Sequence, residues 1–104
     1  LYVLMRFEGE ENTGDTYVDG AYKSPLLFPD GGAAARFARR YAPDYTGVGL
    51  DRFYWPFFQT MVSEQGGAVI LMVDEEKNLG KLVKVEEVAS TWYRRPPGSH
   101  RTSG

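Results

Sequence analysis

The feature that most constrains this chain is the unbroken apolar run Ala68–Val73, preceded by Gly66-Gly67 and followed by Asp74. Six apolar residues with no polar alternation suit a strand covered on both faces, whereas a half-solvated strand alternates with period two. The run is also too short to span a bilayer, which takes about 20 residues. It therefore predicts a buried central strand in a water-exposed protein, and the rest of the chain has to supply its cover. With 104 residues and 42% hydrophobic content there is enough material for one core and one domain.

The best source of cover is upstream. Ala34, Phe37, Ala38 and Tyr41 fall at i, i+3, i+4 and i+7, the spacing of one helical face, and Asp30 stands where an N-cap belongs. Arg36, Arg39 and Arg40 take other faces, and Ala42-Pro43 ends the pattern. A helix over about 32–41 follows. A second is expected from about Trp55 to Gln65, with Pro56 in its first turn, Phe57, Phe58, Met61 and Val62 as an apolar stripe, and Gly66-Gly67 as the stop. Asp51 is the expected cap if this helix starts earlier.

Strands are expected at both ends of the chain. Leu1–Phe7 is rich in β-formers, Glu8–Asp15 reads as a polar hairpin loop, and Thr16–Lys23 reads as the return strand, extended through Ser24–Phe28. Residues 44–50 read as a loop or a very short strand. Lys81–Val88 reads as a less buried partner of the apolar run, across a charged turn at 74–80. The order β-β(β)-α-α-β-β predicts an α+β domain over residues 1–93. Its sheet is expected to have four to five strands, mixed or mainly antiparallel, with both helices on one face. Residues 94–104, with Pro96, Pro97, Gly98 and no apolar anchor, read as a flexible basic tail of the kind that can be appended to a protein. The chain starts at Leu1 rather than Met, which leaves open a few preceding residues or a removed leader.

Several chemistries are disfavoured by what is absent or badly placed. There is no cysteine, which removes disulfides, thiolate catalysis and cysteine zinc sites. It also fits a cytoplasmic location. The single histidine, His100, falls in the tail, where no scaffold holds an imidazole for a triad or a metal. Residues 1–22 carry Glu8, Glu10, Glu11, Asp15 and Asp19 against Arg6 alone, while Arg94, Arg95 and Arg101 make the tail basic. An acidic body disfavours nucleic acid, which rewards clustered cations. No leader or long apolar segment points to a membrane, and no residue pattern calls for a cofactor or a metal.

Two constellations remain. Asp74 and Glu75, with Glu76 and the more distant Asp51, form a weak acidic site that could serve acid–base or cation chemistry, although turn carboxylates are ordinarily just solvated. Asp30-Gly31-Gly32 could meet a phosphate, but the acid would repel it and a helix cap explains it better. The richer feature is the segment Arg52, Phe53, Tyr54, Trp55, Pro56, Phe57 and Phe58. Five aromatics in six positions cannot all face one core, because a helix presents only part of its circumference to a sheet. Tyr and Trp are enriched at buried protein interfaces. Arg52, Phe53, Tyr54, Trp55 and Phe58 are thus the expected interface or ligand-binding residues. The reading favours a non-enzymatic module that self-associates, as a homodimer, or meets another protein. The alternative is a small-molecule binder or carboxylate enzyme with an aromatic pocket around Asp51, Arg52, Tyr54 and Asp74.

Overall fold

The computed structural model describes residues 1–93 and is an α+β fold: a six-stranded mixed sheet with three helices. The basic tail, including Arg94, Arg95, His100 and Arg101, lies outside the described residues. The elements are β1 (Tyr2–Glu8), β2 (Glu11–Thr16), β3 (Leu26–Phe28), α1 (Gly31–Tyr41), β4 (Tyr45–Gly49), α2 (Trp55–Glu64), β5 (Ala68–Asp74), β6 (Leu79–Lys84) and α3 (Val85–Val88), followed by a π-helical turn at Ala89–Tyr93.

β1 lies inside the sheet, one strand in from the β4 edge. β1 pairs antiparallel with β2, β3 and β4. β4 and β3 both align with Tyr2 and Val3, and β4 and β2 both align with Met5, so β4 takes one side of β1. β2 and β3 share the other side end to end. Between them Tyr17–Pro25 makes an excursion closed by a bridge from Val18 to Pro25 and by the Asp19 side chain, which accepts from the N–H groups of Ala21 and Tyr22. β3 then pairs parallel with β5, and β5 antiparallel with β6.

This arrangement differs from the sequence expectation in four places. The expected loop 8–15 is mostly strand: only Gly9 and Glu10 turn, with Gly9 at φ +64, a value that favours glycine in a two-residue hairpin turn. The expected strand 16–23 is largely the excursion. Residues 45–49 form a full strand. Lys81–Val88 divides, because Val85 and Val88 lie one helical turn apart and both bury, so the chain coils after Lys84.

Beyond these four local differences, the faces also differ. α1 and α2 lie on opposite sides of the sheet, not on one. Ala33, Ala34, Phe37 and Ala38 of α1 pack with Leu4, Leu26, Phe28, Ile70 and Met72. Trp55, Phe58 and Val62 of α2 pack, with Val85 and Val88, against Val3, Leu27 and Val69. The alternation of Val3 with Leu4, and of Val69 with Ile70, is the strand period reading out two separate cores. The reason is topological. β3, β4 and β5 run parallel, and α1 carries the chain outward past β1 while α2 brings it back. Right-handed crossovers made in opposite directions put their helices on opposite faces. The apolar run is covered on both faces from Ala68 to Met72, as its composition suggested, while Val73 at its end is 73% exposed.

Candidate functional site

The aromatic segment divides in two. Phe53 is 81% exposed, Tyr54 60% and Phe57 76%, whereas Trp55 and Phe58 are 5% and 7% exposed and belong to the core. Trp55, Phe58 and Val62 are spaced i, i+3 and i+7 and form the inward stripe of α2. Phe57 cannot share it: one residue from Phe58, it is turned about 100° away around the helix. Of the expected interface residues, Arg52, Phe53 and Tyr54 are at the surface, Trp55 packs inside beside Phe58, and Phe58 reaches the surface only at the wall of a groove.

Asp51 builds this corner. Its side chain accepts from the N–H groups of Phe53 and Tyr54, each at 2.9 Å, and its carbonyl accepts from Trp55 N–H. The turn thrusts Phe53 and Tyr54 outward before Pro56 opens the helix. With its carboxylate committed to the turn, Asp51 is a structural acid.

Beside the corner is a groove of about 230 Å³. Its floor is the margin of the sheet beside α2, where the half-buried Met5 and Val48 adjoin the core residue Val3. Its wall is α2, with Tyr54, Phe57, Phe58 and Met61. Asn12, Gly14 and Thr16 of β2 close the far side. Sequence reasoning missed the groove, including Phe57 and Met61 as surface residues. The signal for Phe57 was in the helical spacing, but the floor depends on β4 pairing with β1, a contact between distant segments that no local pattern encodes.

The acidic residues do not converge. β3, β4 and β5 end at the same side of the sheet, but Asp51 follows β4 and Asp74 ends β5, three strand spacings or roughly 14 Å across. Asp74 accepts from the N–H groups of Glu76 and Lys77 and so shapes the β5–β6 turn. Glu75 accepts from Arg36 of α1 at 2.6 and 2.7 Å, tying the turn to the helix; that hydrogen bond holds the Arg36 guanidinium above its ordinary range. Among the described residues no three acidic or histidine side chains gather as a metal site, and no helix is long and apolar enough to cross a membrane.

No family model matches the chain, and comparison with characterised proteins and with solved structures returns no match for either its sequence or its fold.

Proposed function

We propose that this chain is a non-enzymatic binding module that acts through protein–protein contacts and self-associates through the exposed part of its aromatic segment. One observation carries the reading. Phe53, Tyr54 and Phe57 are all majority-exposed, and Tyr54 and Phe57 border an apolar groove that continues the surface onto Val48 and Met5. Scattered surface aromatics are ordinary, but a contiguous apolar surface of this kind marks an interaction site. The polar handle of Tyr54 and the cation of Arg52 give the patch the composition of an interface centre.

Sedimentation equilibrium tests this on the wild-type chain and on Phe53→Ser and Phe57→Ser. Mass should rise with concentration for wild type and stay monomeric for the variants, with circular dichroism unchanged. A wild type that remains monomeric at every attainable concentration ends the self-association reading. The alternative gives the groove to a small apolar molecule oriented by Asn12, Thr16 and Tyr54, a reading favoured by the groove's size and mixed lining. It predicts that Phe57→Ser abolishes ligand-induced thermal stabilisation without changing mass. The carboxylate-enzyme form of that alternative gains no support from Asp51 and Asp74, which sit apart and are each engaged in a turn.

A further inference from the structure

A sheet with unpaired strand edges offers backbone N–H and C=O groups to any passing strand, and proteins ordinarily block this with charge, proline or bulges. Among the described residues three edges are open. β2 carries Glu11 and Asp15 and breaks register opposite Met5–Phe7. β6 carries Lys81 and Lys84 and breaks register opposite Met72–Asp74. β4 has none of these devices. Its sequence Tyr-Thr-Gly-Val-Gly holds no charge and no proline, and its register with β1 runs unbroken from Arg6–Tyr45 to Tyr2–Gly49.

The outward groups of β4 follow from the ladder. Leu50 N–H donates to the Leu1 carbonyl and Phe7 N–H to the Asp44 carbonyl, so the even-numbered residues face β1. Gly47 and Gly49 therefore turn N–H and C=O away from the sheet. Recesses flank the edge on both faces. The aromatic-walled groove reaches Val48 on one, and on the other a hollow runs along Ala35, Ala38, Arg39 and Pro43 to Gly47. The close approach of α1 keeps that side flat, since a Cβ on Gly47 would meet the Ala34 Cβ at 2.9 Å.

We propose that β4 pairs antiparallel with β4 of a second copy about a two-fold axis through Val48, joining the two sheets into one. The inference rests on the self-association proposed above and specifies its contact. Two observations favour a copy as the occupant. An uncharged strand can face itself in any register without like charges opposed, whereas the two acids of β2 and the two lysines of β6 restrict the registers open to them. In the register centred on Val48, Gly47 faces Gly49 of the other copy, and Asp44 falls level with Arg52 of the other copy, twice by symmetry. Both side chains are exposed and neither forms an ion pair among the described residues. The two aromatic-walled grooves then open onto one another, and Tyr54 and Phe57 of both copies line the shared trough, which is the part of the contact the aromatic segment supplies.

Charge reversal and amide exchange test the pairing. Arg52→Glu and Asp44→Arg should each weaken the dimer about tenfold, because each creates two like-charge contacts, and the double variant should recover to within about twofold. Gly47 and Gly49 amides should gain protection from exchange as concentration rises. A wild type that dimerises and is dissociated by Phe57→Ser, yet ignores both reversals and leaves these amides unprotected, overturns strand pairing while self-association stands. A monomeric wild type overturns both.

Discussion

Trp55 and Phe57 are two positions apart in one helix and have opposite duties. Trp55 lies in the core against Phe58; Phe57 stands in water. Truncation should separate them cleanly. Trp55→Ala is expected to cost about 3–5 kcal/mol, the range for an emptied aromatic site in a core. Phe57→Ala should stay within about 0.5 kcal/mol, as surface changes do. Urea denaturation of the two variants at a concentration where the protein is monomeric makes the comparison. Asp30 shows how far a single residue was legible. The sequence placed it at the start of α1, and its side chain accepts from Ala33 N–H at 2.7 Å. Asp30→Ala is expected to lose about 1 kcal/mol in the same assay. Gly80 gave no such signal: only the pairing of β6 with β5 shows that a Cβ there would overlap Ile70 and press on Met72. Gly80→Ala should cost about 1–3 kcal/mol through overpacking.

Elements whose signals are local were read well. The 3.6 period, the cap and the proline stop gave α1 nearly to the residue, and the glycine pair ended α2 because Gly67, at φ +76, returns its N–H to Val62. Nothing crowds a Cβ at Gly67, so the strain of a substitution there is purely conformational. Gly67→Ala is expected to lower stability by about 1 kcal/mol and Gly67→Asn by less, since asparagine tolerates the left-handed region; thermal melts of the pair decide it. Elements whose signals are non-local were misread. β2, Glu-Asn-Thr-Gly-Asp-Thr, has almost no β-formers and is exposed along most of its length, so its place comes from the two-residue turn and the ladder with β1 rather than from burial. At the other end Val85 and Val88, three residues apart, would fall on opposite faces of a strand but share one face of a helix, and burial of both in one core goes with the helix.

At the scale of the molecule, the order of elements predicted an α+β fold and the apolar run predicted a strand with two covered faces. Which helix covers which face was not legible. That depends on β1 standing between β3 and β4, and β1 has no local mark of being interior. The candidate site inherits the same limit: its residues were visible as a cluster of aromatics, but its groove exists only because α2 crosses back over the sheet and stops short of β4. An interior first strand also has a consequence for synthesis. Leu1–Glu8 emerges from the ribosome before either of its flanks, gains β2 and β3 first, and waits with one apolar margin bare until Tyr45–Gly49 follows. A chain arrested in that interval would expose the very backbone groups of β1 that β4 later covers, so one edge of β1 stays open from the time β2 and β3 join it until Tyr45–Gly49 is made.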